Sequence, residues 1–167
     1  DAIAYTPDAA NVRTGSIVVG AVTTNFSAIE GVSIDGLGGA DTATLNGTAN
    51  AETVVLTPAG NASGSLRVGA SSPLSFASLE TVTVDTTQSA GDTLVINGTG
   101  GNDTISITGT NATLNGQSFT LTGQEAVVAN LGSGDDTATV TALAGITVAV
   151  NGGDPSASDT LTFNGSG

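Results

Sequence analysis

Asp103-Thr104-Ile105-Ser106-Ile107 is one copy of a five-residue word, acid-Thr-apolar-x-apolar. Six further copies read Asp1-Ala2-Ile3-Ala4-Tyr5, Asp41-Thr42-Ala43-Thr44-Leu45, Glu52-Thr53-Val54-Val55-Leu56, Asp92-Thr93-Leu94-Val95-Ile96, Asp136-Thr137-Ala138-Thr139-Val140 and Asp159-Thr160-Leu161-Thr162-Phe163. The starts at 1, 41, 52, 92 and 103 are spaced 40, 11, 40 and 11, a 51-residue period over the first two-thirds of the chain. A fixed period of this length marks a repeat architecture. Within each word the apolar residues are two apart, the spacing of a strand with one face on a core.

The flanks of the words repeat too. Asp1 and Glu52 lead through turn-rich stretches, Pro7-Asp8-Ala9-Ala10-Asn11 and Ala59-Gly60-Asn61-Ala62-Ser63-Gly64, into second short strands at Ser16–Gly20 and Ser65–Gly69. Asp103 leads to a shorter version ending in Ala112-Thr113-Leu114-Asn115-Gly116. Between them, segments opening Asn25-Phe26-Ser27-Ala28-Ile29-Glu30 and Ser75-Phe76-Ala77-Ser78-Leu79-Glu80 begin 50 residues apart. Each runs into a strand ending in Asp35 or Asp85, and like strands end in Asn130 and Asn151.

Asn130 and Asn151 are 21 residues apart, which sets one structural turn at about 20 to 25 residues and makes the 51-residue period two turns. The expected fold is all-β: a single domain over 1–167, wound as a right-handed parallel β-helix (β-solenoid) of about seven coils. Its double-coil repeats start near 1, 52 and 103, with an extra coil near 143–167. A β-sandwich is the alternative, since short strands at regular spacing suit it as well. It leaves unexplained why the same words recur in the same order. Stacked Ile, Leu and Val form the expected core, with Phe26, Phe76, Phe119 and Phe163 as larger plugs.

Composition narrows the function. The chain of 167 residues has 24 Gly, no Cys, Met, Trp, His or Lys, and two cations, Arg13 and Arg67, against a net charge of −13. Phosphate backbones and anionic membranes find nothing here to neutralise them. Thr, Val and Ile favour strands over helices. Missing cysteines remove a disulfide framework, no run reaches transmembrane length, and Asp1 does not open a signal peptide. The chain reads as a mature extracellular protein or a segment of one. Without His, Cys or Lys the familiar nucleophile-base pairs are missing, and Asp135/Asp136 is the one adjacent carboxylate pair for glycoside chemistry. An enzyme is not expected.

Parity places the acid of each word on the core face, where a carboxylate needs partners. Two Arg cannot serve seven acids, so backbone N–H groups or a metal ion must. Turn capping by the acid's own side chain accounts for the first source. For the second, Gly98-Thr99-Gly100-Gly101-Asn102-Asp103-Thr104-Ile105 resembles the glycine-aspartate nonapeptide of RTX-type (haemolysin-type) calcium-binding β-rolls. Gly36-Leu37-Gly38-Gly39-Ala40-Asp41 and Leu131-Gly132-Ser133-Gly134-Asp135-Asp136 are similar. The resemblance covers about 30 residues and lacks the tandem nine-residue spacing. It implies calcium held by Asp41, Asp103 and Asp136, with Asp135 beside them. The wider chain resembles the β-helical repeat regions of large bacterial surface and adhesin proteins.

Five Thr-x-Thr pairs, Thr42/Thr44, Thr81/Thr83, Thr120/Thr122, Thr137/Thr139 and Thr160/Thr162, point away from the core and offer rows for ice or glycan. Ordinary solvent-facing strand residues are the stronger explanation, since Thr suits that position in any sheet. Thr53/Val55, Thr93/Val95 and Thr104/Ser106 interrupt the series. Asn-x-Ser/Thr sequons at Asn25, Asn46, Asn61, Asn97, Asn102, Asn111 and Asn164 read as turns first and glycosylation acceptors second. The last word leads into Asn164-Gly165-Ser166-Gly167 as Ile96 leads into Asn97-Gly98-Thr99-Gly100, after which a new word begins. The expected function is a structural segment of a secreted surface fibre, filament or adhesin, joined head to tail to copies or neighbouring repeats. An ice- or glycan-binding module is the alternative, and a carbohydrate-active enzyme a distant third.

Overall fold

The computed structural model describes residues 1–60, 62–141, 144–154 and 158–165. These residues form seventeen strands and no helix, arranged in a ten-stranded and a seven-stranded sheet, both mixed. The chain opens with a meander of β1 (Ala2–Pro7), β2 (Gly15–Val19) and β3 (Val22–Phe26) in the ten-stranded sheet. It crosses to the seven-stranded sheet as β4 (Val32–Asp35) and returns as β5 (Thr42–Asn46). A second meander, β6 (Thr53–Gly60), β7 (Ser63–Val68) and β8 (Leu74–Ala77), lies in the seven-stranded sheet. Then β9 (Thr81–Asp85) joins the ten-stranded sheet and β10 (Thr93–Asn97) the seven-stranded one. A third meander, β11 (Thr104–Thr108), β12 (Asn111–Leu114) and β13 (Gln117–Thr122), again lies in the ten-stranded sheet. From there β14 (Ala126–Ser133), β15 (Thr137–Thr141), β16 (Thr147–Asp154) and β17 (Thr160–Asn164) alternate between the sheets, starting in the seven-stranded one.

The strand orders are β17-β15-β11-β12-β13-β9-β5-β1-β2-β3 and β16-β14-β10-β6-β7-β8-β4. All seven words are strands, and neighbouring words pair in parallel and in register. Thr53 lies beside Thr93, and Thr104, Thr137 and Thr160 form one row. Word positions three and five are buried in six of the seven words, and Val54, Leu56, Leu94, Ile96, Ile105 and Ile107 are fully buried in one cluster that draws on both sheets. Period-two alternation dictates this, since a one-residue slip would expose every one of them.

The meanders are where the structure departs from an all-parallel winding. Each folds two antiparallel strands back onto its word within the same sheet. One two-residue turn is Asn115-Gly116, with φ of 50° and 87°, joining Leu114 to its partner Gln117. Positive φ at both central residues is the type I′ hairpin geometry, which Asn-Gly favours. Because of the meanders the chain makes only six visits to one sheet and five to the other. The 51-residue period spans three visits, an odd number, so the words at Asp1, Glu52 and Asp103 fall on alternate sheets. The extra coil expected near 143–167 maps to β16 and β17, in part outside the described residues.

Candidate functional site

The acids that open the words line up at the strand starts as three ladders. On the ten-stranded sheet Asp1, Asp41 and Glu80 form one, and Asp103, Asp136 and Asp159 another. Glu52, Asp92 and Glu125 form the third, on the seven-stranded sheet. The backbone N–H of each acid donates to the carboxylate of the next rung. Asp41 N–H bonds Glu80 Oε2 at 2.8 Å, Glu52 N–H bonds Asp92 Oδ1 at 2.8 Å, and Asp92 N–H bonds Glu125 Oε2 at 2.8 Å. Asp103 N–H bonds Asp136 Oδ1 at 2.8 Å and Asp136 N–H bonds Asp159 Oδ1 at 3.0 Å. The Asp1 nitrogen likewise donates to Asp41 Oδ1. Carboxylates repeated at the strand spacing repel. An N–H between successive rungs offsets that repulsion with charge-assisted hydrogen bonds.

The acids also close the turns before them. Asp103 Oδ2 accepts the Thr99 N–H at 2.8 Å, Oδ1 accepts the Thr99 hydroxyl at 3.1 Å, and the Asn115 amide of the hairpin turn donates to Oδ1 as well. Glu52 takes the N–H and hydroxyl of Thr48 in the same way. A glycine five residues ahead of the acid makes room. A Cβ on Gly36, Gly47 or Gly98 would stand 2.9, 2.6 or 2.6 Å from a carboxylate oxygen of Asp41, Glu52 or Asp103. Packing alone therefore gives the Gly-Asp spacing a physical reason.

Of the four residues expected to hold calcium, Asp103 and Asp136 are adjacent rungs of one ladder, both buried. Asp41 belongs to the other ladder of the same sheet, four strands away, about 19 Å at the usual strand spacing. Asp135 faces out beside Asp136, taking the Ser158 hydroxyl at 2.5 Å while its N–H bonds Asn102 Oδ1. Asp41 Oδ2 and Asp136 Oδ2 are buried without a hydrogen bond. Calcium takes six to eight oxygens. Among the described residues no three acidic, His or Cys side chains converge in a metal-holding group.

Two rungs escape the sequence reading, Glu80 and Glu125. Glu80-Thr81-Val82-Thr83-Val84 fits the word in full, and Glu125-Ala126-Val127-Val128-Ala129 differs only as the copy at Asp1 does, with Ala for Thr. Strand ends carry a second ladder. Asn151 Nδ2 donates to Asn130 Oδ1 at 2.7 Å, and Asn130 Nδ2 to Asn97 Oδ1 at 3.3 Å. Among the sequons, Asn97 is thus engaged in structure, as is Asn46 through Thr6 Oγ1, and Asn61 lies outside the described residues.

Arg13 and Arg67, the chain's two cations, line one cavity of about 230 Å³ with Glu30, which Arg13 meets at 3.2 Å. A cavity of about 200 Å³ brings Asp8 and Glu52 to one wall. Asp8 caps its own turn through the N–H groups of Ala10 and Asn11, and Glu52 is held by Thr48.

Comparison with known protein families, characterised proteins and solved structures finds no match for this chain. Fold and site together define a class: an all-β protein of two mixed sheets whose strand starts are tied by carboxylate ladders.

Proposed function

We propose that the protein is a structural module of a secreted surface fibre, wound as a right-handed β-solenoid with three meander insertions and stacking end to end with another copy. The observation that carries this reading is at β17. Leu161 and Phe163 are 59% and 65% exposed, although their word positions are at most 3% exposed at Ile105, Ile107, Ala138 and Val140. Apolar side chains on an edge strand with open N–H and C=O groups template a further strand. The opposite margin suits them. Counting antiparallel steps, β3 runs in the direction of β17 and β4 in that of β16, so an added copy meets both edges in parallel. Val22 is exposed there as well.

The test is assembly. The intact chain is expected to form rods that lengthen with concentration in sedimentation and electron microscopy. Leu161→Asp and Phe163→Asp, which alter exposed side chains and so leave the melting temperature in place, are expected to hold it monomeric. A wild-type chain that stays monomeric at high concentration would sink the proposal.

Calcium is dispensable in this reading, because backbone N–H groups stabilise the acids. Asp136→Ala removes the acceptor of a buried N–H and is expected to cost about 1–3 kcal/mol. Asp136→Asn keeps a carbonyl there and should cost less. A chelator is expected to leave the melting temperature unchanged. A fall that Ca²⁺ reverses would restore the metal.

A further inference from the structure

The five Thr-x-Thr pairs all lie on the ten-stranded sheet, on β5, β9, β13, β15 and β17. The pairs broken by valine, Thr53/Val55 and Thr93/Val95, lie on the other sheet. Register lines the hydroxyls up across strands. One row runs Thr44, Thr83, Thr120, Asn111, Thr108, and another Ser118, Thr113, Ser106, Thr139, Thr162. The residues on either side of these along β5, β9, β11, β13 and β15 are core, so the rows face out. Among the described residues the one side-chain hydrogen bond within the rows joins Thr113 and Ser118 at 3.3 Å, which leaves the other hydroxyls to solvent.

The chemistry of the face selects its partner. Along β5, β9, β11, β12, β13, β15 and β17 the one ionisable outward side chain is Asp85, in a chain of net charge −13. A charged partner finds only Asp85 to pair with on this face. An aromatic ring is the usual stacking platform for a sugar, and the outward positions of these strands carry none.

Ordered water fits the spacing. Water oxygens bonded at about 2.75 Å with tetrahedral angles have second neighbours about 4.5 Å apart, close to the 4.7–4.9 Å between strands. A threonine row can therefore stand in for a row of lattice waters. Seven of the ten side chains in the two rows are threonines, whose β-branching leaves few rotamers, so their hydroxyls need little ordering.

We propose that the outward face of the ten-stranded sheet binds ice. This goes beyond the fibre reading and uses a different surface. The test freezes ice slowly from a solution of the intact chain and measures protein in the ice fraction, together with thermal hysteresis at a single crystal. Wild type is expected to enrich in ice and to show hysteresis. Thr83→Lys with Thr139→Lys, one in each row, should lose both while keeping the circular dichroism spectrum and melting temperature. Val95→Lys, on the outer face of the other sheet, should keep both. Exclusion of wild type from ice, or equal enrichment of the threonine variant, would overturn the proposal. So would retention on crystalline cellulose with exclusion from ice, which would assign the face to a glycan.

Discussion

Gly98→Ala is expected to destabilise the protein by about 3 kcal/mol, the upper end for overpacking. The added Cβ would stand 2.3 Å from the Leu131 carbonyl oxygen and 2.6 Å from Asp103 Oδ2. The first is backbone of the neighbouring strand β14, held by the Gly98 N–H to Asn130 carbonyl bond at 2.6 Å, and cannot rotate away. The second is a carboxylate already fixed by Thr99 and Asn115. Relief at one contact worsens the other. Gly100→Ala, two residues on, is the control, since a Cβ there meets nothing within 4 Å. For a chain of this size each kcal/mol moves the melting temperature by roughly 2–4 °C, so thermal denaturation separates the two variants. Equal melting of both would show that the glycine-carboxylate contact has no part in stability.

Ile105→Ala is expected to cost about 2–5 kcal/mol, and Leu161→Ala about 0.5 kcal/mol or less, although both replace the third residue of the same word. Ile105 is fully buried between β12 and β15, in the core both sheets share. Leu161 sits on the edge strand β17 and is 59% exposed, so its removal from a free chain opens no cavity. Urea denaturation of the monomeric protein measures both. At concentrations where copies assemble, the cost of Leu161→Ala should rise as its side chain is covered. A constant small value across concentrations would count against the stacked fibre.

Much of the fold was legible because strand alternation is local. Every word became a strand, with its third and fifth residues buried in all but the last, and backbone N–H groups, one of the two partners open to the word acids, reach the carboxylates of Glu52, Asp92, Asp103, Asp136 and Asp159. Asn115-Gly116 is itself a hairpin signal, a local cue to the antiparallel meander that the repeat period does not carry. Glu80 was hidden for a different reason. It closes the segment Ser75-Phe76-Ala77-Ser78-Leu79, which has no glycine-rich turn to mark the start of a word. The grouping of Asp41, Asp103 and Asp136 could not be read from motif likeness. Motifs of similar spelling occupy separate ladders when four strands intervene.

By itself the sequence determined that the words are strands, which of their side chains face the core, and that an acid stands at the start of each word, because these follow from period-two geometry and the cost of burying a bare charge. Tertiary structure alone decided which words become neighbours. Three sheet visits per 51 residues send successive repeats to opposite sheets, which gathers every Thr-x-Thr pair on one face and leaves Leu161 and Phe163 uncovered at one end. Lateral pairing depends on how each meander folds back within its sheet, a choice made by contacts between residues tens of positions apart.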